Sequence, residues 1–273
     1  MDPERRTTFI VMKTRRVTMS SPDASLVVDL DQGCRLSSLR TCGHELLINT
    51  GRSPIEWGLY PMAPYAGRVR NGTFEFAGRH YELARTLDGH AIHGTVYIQK
   101  WEQESDTSFV TDLGPPWPFT GFVRQEIRLE KGSLGLRLEV HSTQGPMPAS
   151  CGWHPWFRRV IDGRDHHLDF HPAFMLRRDR EKIAIPEPTA VTEGPWDDCF
   201  GDVDPPPVLE WPGILRLQIT ADCSWWVLYN EREYATCIEP QTDPPDALNG
   251  NPYLVEPGYP LIANATLHWT GLK

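Results

Sequence analysis

Two side chains capable of acid–base chemistry each stand directly before a proline. His154 lies in the stretch CGWHPWF, and Glu239 lies in the stretch CIEPQT. Because a residue before proline favours extended backbone, we expect His154 and Trp156 to share one strand face, with Trp153 on the other. An imidazole beside an aromatic wall fits a sugar pocket, but His154 alone equally fits a packed core. His154 is therefore either a structural residue packed among tryptophans or a proton donor in a pocket.

Glu239 would share its strand face with Cys237, with Ile238 opposite.

Three further stretches carry side chains that could bind a ligand or take part in catalysis. DGHAIHGTVY could offer two histidines to a metal, although their spacing alone is a weak signal. APYAGRVRNG carries two arginines that could be a surface pair, and GPWDDCF carries two carboxylates that could be ordinary loop residues. These candidates are His90, His93, Arg68, Arg70, Asp197 and Asp198.

The elements that must position these residues are predicted to be strands. From Phe122 to Val140, apolar and polar residues alternate on both sides of a Lys-Gly-Ser turn, which is typical of a half-buried antiparallel hairpin. ASLVVDL with GCRLSSLRTCGHELLI, and GTFEFAGRHYEL, predict two more hairpins. ILRLQITAD, WWVLYN and ATLHWTGL predict later strands, whereas RDREKIAI predicts a single turn. Proline- and glycine-rich stretches at 49–72 and 186–213 predict long irregular loops.

This pattern predicts a single all-β domain over residues 1–273, a sandwich rather than a small barrel. Residues 1–19 are the weakest candidates for core structure and could form a flexible N-terminal extension.

The composition excludes several classes of function. A formal net charge of −9 argues against nucleic acid or an anionic membrane as a partner. No apolar run approaches the ~18 residues of a membrane helix, and the N-terminal stretch lacks the apolar segment of a secretory signal. The six cysteines include no C-x-x-C pair. We therefore expect a cytoplasmic protein with reduced thiols. The absence of G-x-G-x-x-G, Walker A, G-x-S-x-G and H-E-x-x-H motifs argues against nucleotide-binding, serine hydrolase and zincin functions.

The candidate stretches follow one another in a recognisable order. An arginine in A-P-x-x-G-R precedes H-G, H-P-x-F, D-x-x-F and E-P-Q-T. This series, with the NGTFEFAGRHYEL hairpin and Trp101, resembles the aldose 1-epimerase (galactose mutarotase) family from about Met62 to about Asn249. The resemblance implies a large antiparallel β-sandwich with the site in the concave face of one sheet.

The resemblance also implies a role for each matching residue. The general acid falls on His154, the general base on Glu239, the second site histidine on His93, and the sugar-binding positions on Arg68 and Asp197. Trp156 would belong to the aromatic wall beside the sugar, and His90, Arg70 and Asp198 would keep structural roles. No cofactor or metal is implied. The partner would be a monosaccharide, and the chain would be a monomer or a homodimer.

Three positions depart from the family's pattern. Gly67 stands where members often carry Asn, Trp156 where they often carry Tyr, and Arg158 where many carry Asn. These departures leave the acid and base in place and leave the preferred sugar open.

Changing the anomer of an aldose requires the C1 hydroxyl to lose a proton while the ring oxygen gains one, and closure reverses both transfers. One base and one acid suffice, and His93 could polarise the ring oxygen. With ordinary pKa values near 4.3 and 6.5, ionised Glu239 and protonated His154 would coexist only in a narrow, mildly acidic window. We expect the nearby carboxylate to raise the pKa of His154.

Three alternatives remain open at this point. A hexose-6-phosphate 1-epimerase of the same superfamily should show a cationic pocket and an R-G-G-I-P motif, which this chain lacks. A non-catalytic carbohydrate-binding protein would need the aromatic residues and Arg68, but not both His154 and Glu239. A glycoside hydrolase would use a carboxylate pair such as Asp197 and Glu239.

Overall fold

Antiparallel strands make up almost all of the regular structure. The computed structural model describes residues 15–115 and 117–272. In chain order, the first fourteen strands are β1 (Arg16–Ser20), β2 (Ala24–Asp29), β3 (Arg35–Thr41), β4 (His44–Glu45), β5 (Leu59–Met62), β6 (Arg68–Val69), β7 (Thr73–Phe76), β8 (Arg79–Glu82), β9 (Ala91–Ile92), β10 (Glu102–Gln103), β11 (Ser108–Asp112), β12 (Gly121–Glu130), β13 (Ser133–Ser142) and β14 (Met147–Ala149).

The remaining strands are β15 (Gly152–Pro155), β16 (Phe157–Arg158), β17 (Val160–Ile161), β18 (Arg164–Asp165), β19 (His167–Asp169), β20 (Pro172–Arg178), β21 (Ala184–Thr189), β22 (Asp197–Val203), β23 (Val208–Trp211), β24 (Leu215–Ala221), β25 (Trp225–Tyr229), β26 (Ala235–Gln241), β27 (Tyr253–Val255) and β28 (Leu261–Gly271). Short 3-10 helices occur at Leu30–Gln32, Arg70–Gly72, Val96–Ile98 and Ala247–Asn249. Among the described residues, no helix has the length and apolar character needed to cross a membrane.

Two large sheets face each other across one apolar core. The twelve-stranded sheet runs β1-β2-β3-β5-β15-β26-β25-β22-β20-β21, with β4 beside β3 and β16 beside β26. The eight-stranded sheet runs β10-β11-β12-β13-β28-β24-β23-β19. Side chains from both sheets form a single cluster of buried residues. The all-β sandwich predicted from the sequence is therefore confirmed.

The predicted hairpin from Phe122 is the pair β12 and β13, whose residues alternate between buried and less buried along both strands. Gln125 is a polar residue on the buried face. Its amide donates to the carbonyl oxygen of Cys34 at 3.1 Å, and its oxygen accepts the indole N–H of Trp153 at 3.0 Å. These hydrogen bonds satisfy the buried amide and tie the eight-stranded sheet to β15, the strand that carries His154.

The two stretches predicted as long irregular loops contain strands, so that prediction is wrong in part. Residues 49–72 include β5 and β6, and 186–213 includes most of β21 together with β22 and β23. The prolines of β21 are the reason that the sequence predicted a loop there. This strand lies at the edge of its sheet, where a residue without an N–H is tolerated.

The N-terminal extension expected over residues 1–19 lies only partly within the described residues. Arg16–Ser20 forms β1, which pairs antiparallel with β2 at the edge of the twelve-stranded sheet. Residues 1–14 lie outside the described residues.

Candidate active site

A cavity of about 360 Å³ opens over β15, β26, β25 and β22 of the twelve-stranded sheet. Its volume is typical of a pocket for a small ligand. Its wall includes all six residues that the sequence singled out for the site, which lie far apart in the chain: Arg68, His93, His154, Trp156, Asp197 and Glu239.

His154 and Glu239 meet at the floor of this cavity, because β15 and β26 are neighbouring strands. His154 Nε2 lies 3.2 Å from Glu239 Oε1. Both residues are almost fully buried, with 5% and 2% of their surface exposed. Gly152 lies opposite Gln241 in this pairing. A Cβ atom at Gly152 would stand 2.3 Å from the carbonyl oxygen of Pro240, so the absence of a side chain permits the close approach of the two strands.

The two strands present their faces as the alternation predicts. His154 and Trp156 turn toward the cavity, and Trp153 turns into the core between the sheets. Cys237 packs in a cluster with Trp156, whereas Ile238 belongs to the core on the other side. The imidazole of His154 stacks on Tyr60 at 5.1 Å between ring centroids and lies nearly parallel to Trp156 at 5.4 Å. His154 thus packs among aromatic rings and also forms part of the cavity wall.

Burial controls the protonation of this pair. Removal from water raises the pKa of Glu239 well above its ordinary value, with a further rise from Asp197. Removal from water lowers the pKa of His154 well below its ordinary value, with further lowering by His93 and Arg35. The expectation that the carboxylate raises the pKa of His154 is therefore wrong, because desolvation opposes both charges. Both shifts favour a protonated Glu239 beside a neutral His154.

A second histidine approaches the same point from a different element. The ring of His93 meets that of His154 edge to face, with centroids 4.9 Å apart. Burial and the neighbouring Arg68 lower the pKa of His93 to about 3, so this imidazole is neutral near pH 7. Its backbone N–H donates to the carbonyl oxygen of Gly67 at 2.9 Å, and the adjoining strands β6 and β9 pair Arg68 with Ile92.

The H-G dipeptide has a physical reason. His93 itself adopts a left-handed backbone with φ +61°, and Gly94 follows with φ +78°. A Cβ atom at Gly94 would lie 1.9 Å from the carbonyl oxygen of Ala63. Only glycine fits this contact, which holds the His93 loop against the strand that ends at Met62.

Five buried polar atoms in the cavity wall have no hydrogen-bond partner within the described residues. They are Arg68 Nη1, His93 Nδ1, His154 Nδ1, Trp156 Nε1 and Gln241 Oε1. Buried polar atoms are normally satisfied. A ligand rich in hydroxyl groups, which both donate and accept hydrogen bonds, would satisfy donors and acceptors in this mixed set.

Comparison with known proteins shows the family of the chain. The family model for aldose 1-epimerase matches residues 15–260. The chain belongs to the aldose 1-epimerase family. It is 29% identical over 105 residues to YphB, an uncharacterized protein of Escherichia coli (strain K12), a match that covers 36% of each chain.

Solved structures of the same fold confirm the architecture expected of an aldose 1-epimerase family member. A galactose mutarotase-like protein from Clostridium acetobutylicum is 16% identical with a TM-score of 0.81, covering 95% of this chain and 96% of that one. A galactose 1-epimerase from Lactobacillus acidophilus NCFM is 15% identical with a TM-score of 0.79, covering 100% and 98%. At these identities the likeness concerns the fold.

One departure from the family pattern now has an explanation. Gly67 stands where family members often carry Asn, and its φ is +64°. Asn and Gly are the residues that most readily adopt this left-handed conformation, so the exchange preserves the backbone that presents Arg68.

The sequence missed several residues of the cavity wall. Gln241 donates from Nε2 to Glu239 Oε2 at 3.2 Å, and its place two residues after Glu239 in E-P-Q-T was an available signal. Arg178 bridges the carboxylates, with Nη1 3.2 Å from Asp197 Oδ2 and Nε 2.7 Å from Asp198 Oδ1. Asp198, expected to keep a structural role, therefore also lines the cavity.

Behind the site, Arg35 is fully buried and forms no ion pair within the described residues. Its Cζ lies 4.4 Å from the ring centres of both Trp57 and Tyr60, and its guanidinium donates to backbone carbonyl oxygens, including that of Pro54 at 2.6 Å. Tyr60 separates this cation from His154. The sequence pattern carried no signal for Arg35.

The remaining candidates, His90 and Arg70, do not line the cavity. His90 Nδ1 accepts the backbone N–H of Asn71 at 3.0 Å. Arg70 forms ion pairs with Asp179, Glu181 and Asp246 outside the cavity. Among the described residues, the group of potential metal ligands that lies together is His154, Cys237 and Glu239, which includes neither His90 nor His93.

Proposed function

We propose that this member of the aldose 1-epimerase family interconverts the α and β anomers of a free hexose by acid–base ring opening and closure. The observation that carries the proposal is the contact of His154 with Glu239 at the floor of a cavity lined by unpartnered polar atoms. Glu239 acts as the base toward the C1 hydroxyl, and His154 acts as the acid toward the ring oxygen. Each group is expected to contribute roughly 10²–10⁴-fold to the rate.

The resting pair and the reactive pair contain the same number of protons. A protonated Glu239 beside a neutral His154 becomes an ionised Glu239 beside a protonated His154 when one proton moves between neighbouring groups. Hydroxyl groups of a bound sugar stabilise the second form, because they donate hydrogen bonds to the carboxylate. The window in which the pair holds one proton is consequently broad, rather than the narrow interval that ordinary pKa values predict.

The other residues of the wall have roles that fit this reaction. Neutral His93 hydrogen-bonds the ring oxygen or an adjacent hydroxyl, and Arg68 and Asp197 fix the positions of further hydroxyls. The unpartnered indole N–H of Trp156 supplies another donor to the sugar. Gln241 holds the carboxylate of Glu239 by its second oxygen.

The charge of the wall favours a free sugar over a hexose 6-phosphate. Five acidic side chains besides Glu239, and four basic side chains, line the cavity. Three of the four cations already face carboxylates: Arg68 with Asp88, Arg178 with Asp197 and Asp198, and Arg232 with Glu56. A phosphate group would meet more repulsion than attraction here.

The remaining alternatives fit the wall less well. Asp197, the second carboxylate that a hydrolase would use, is engaged by Arg178. A non-catalytic binding protein gives no reason to bury an acid–base pair, since desolvating ionisable groups opposes folding.

Polarimetry tests the proposed function directly. Freshly dissolved α-glucose and α-galactose should reach anomeric equilibrium faster with the protein than in buffer alone. No acceleration with any free hexose contradicts the proposal. Acceleration confined to glucose 6-phosphate supports the phosphate-specific alternative instead.

A further inference from the structure

Two residues that line the cavity, His154 and Glu239, lie together with the fully buried Cys237. One potential ligand atom from each of His154, Cys237 and Glu239 lies within 4.8 Å of the other two, and all three residues are buried. Cys237 and Glu239 alternate along β26, and His154 reaches them from β15. We propose that these residues form a binding site for a thiophilic divalent cation such as Zn²⁺.

The spacing suits a tetrahedral ion. With zinc–nitrogen and zinc–oxygen bonds of about 2.0–2.1 Å, two such ligands lie about 3.3 Å apart. His154 Nε2 and Glu239 Oε1 are 3.2 Å apart. A thiolate on the same ion would lie about 3.5 Å from each. The ligand atoms already lie within 4.8 Å of one another, so the Cys237 sulfur needs to move closer by at most about 1.3 Å. The fourth position faces the cavity, where water or a sugar hydroxyl can enter.

The charges also balance. Burial raises the pKa of the Cys237 thiol and of the Glu239 carboxyl well above their ordinary values. Zn²⁺ bound to one thiolate, one carboxylate and a neutral imidazole has no net charge, which avoids leaving an uncompensated charge in a buried site. Binding requires the thiol and the carboxyl in their deprotonated forms, so it should tighten as the pH rises.

The ligand set selects the class of cation. Mg²⁺ and Ca²⁺ take six or more oxygen ligands, whereas this cluster offers one carboxylate, one imidazole and one thiolate. Thiolate and imidazole favour Zn²⁺, Cd²⁺ and Co²⁺.

A cation on Nε2 of His154 and on the carboxylate of Glu239 would occupy the atoms assigned to proton transfer. It would inhibit anomer exchange and compete with the sugar. This consequence rests on the proposed function, whereas binding of the cation does not.

A Co²⁺ titration of the chelator-treated full-length protein tests binding without using activity. We expect a thiolate-to-cobalt charge-transfer band that saturates at one Co²⁺ per chain, disappears on addition of Zn²⁺, and is unaffected by Mg²⁺. The binding should tighten as the pH rises, because the ligands bind in their deprotonated forms. Cys237→Ser and Cys237→Ala should lose the band. Cys199→Ser is the matched control and should retain it, because Cys199 is also buried and lines the cavity but lies outside the cluster.

Absence of the band in the wild-type protein, or a band that persists in both folded Cys237 variants, would overturn the proposal. In the polarimetric assay, Zn²⁺ should inhibit the wild-type protein, EDTA should restore activity, and Cys237→Ser should need at least about tenfold more Zn²⁺ for the same inhibition. If the protein shows the band but never accelerates anomer exchange, the result contradicts the proposed function but still supports the cation site.

Discussion

Gly152 lies so close to Pro240 that a Cβ atom on the glycine would stand 2.3 Å from the proline's carbonyl oxygen. This contact sets the spacing of β15 and β26, and thereby the 3.2 Å separation of His154 and Glu239. The glycine of G-W-H-P and the proline of E-P-Q-T thus set the spacing of the two strands together.

Gly152→Ala should push the two strands apart. We expect a loss of roughly 1–3 kcal/mol in the free energy of unfolding, as is usual for overpacking, and a loss of activity per folded molecule. Urea unfolding and polarimetry measure the two effects. Gly135→Ala is the matched control, because a Cβ atom there meets only ordinary contacts at 3.8 Å. Equal behaviour of the two variants would show that the close approach does not matter.

His154→Gln and Glu239→Gln should each lower kcat by roughly 10²–10⁴. The double variant should lose much less than the product of the two factors, because the groups act as one unit. His154→Gln also loses its stacking on Tyr60 and Trp156, so about 1 kcal/mol of stability should go with it. Activity is therefore to be compared per folded molecule. Full retention of kcat in either single variant removes that residue from the mechanism.

The buried pair should leave a signature in stability against pH. In the folded state the pKa of Glu239 is raised and the pKa of His154 is lowered. In the unfolded state the two pKa values are near 4.3 and 6.5, respectively. Between pH 4.3 and 6.5 both states hold one proton, so the contribution of the pair is constant. Above pH 6.5 only the folded state keeps the proton, and stability should fall by about 1.4 kcal/mol per pH unit until the raised pKa of Glu239 is passed.

Glu239→Gln removes this dependence above pH 6.5. The variant should therefore gain stability relative to the wild-type protein as the pH rises from 6.5 to 8.5. Urea unfolding at several pH values measures the difference, with Glu75→Gln as a control because Glu75 is exposed on β7. A constant difference across this range would show that Glu239 is ionised in the folded protein.

Arg35 should increase the acidity of His154 from behind Tyr60, because a cation lowers the pKa of a neighbouring imidazole. Arg35→Met should shift the acidic limb of the kcat profile to higher pH, whereas Arg35→Lys, which keeps the charge, should shift it less. Both variants lose donors to backbone carbonyl oxygens, so reduced stability is expected in each. Only the shift of the limb distinguishes the electrostatic effect from a structural one.

The sequence alone determined the sandwich and singled out six residues that the structure brings together in one cavity. Alternation along β12 and β13 specifies strands with one buried face, because side chains of a strand point to opposite sides in turn. The same rule placed His154 with Trp156, and Glu239 with Cys237. The ordered motifs carried the resemblance that assigned Arg68, His93 and Asp197 to one site.

Only the tertiary structure decided the properties that depend on neighbours from distant parts of the chain. The protonation of Glu239 and His154 follows from how completely the two sheets and loops exclude water, which no local pattern encodes. Sequence spacing does not specify the contacts that bring Gln241, Arg178 and Arg35 to the site. Strand β21 was missed because its prolines are tolerated only at the edge position that the finished sheet gives it.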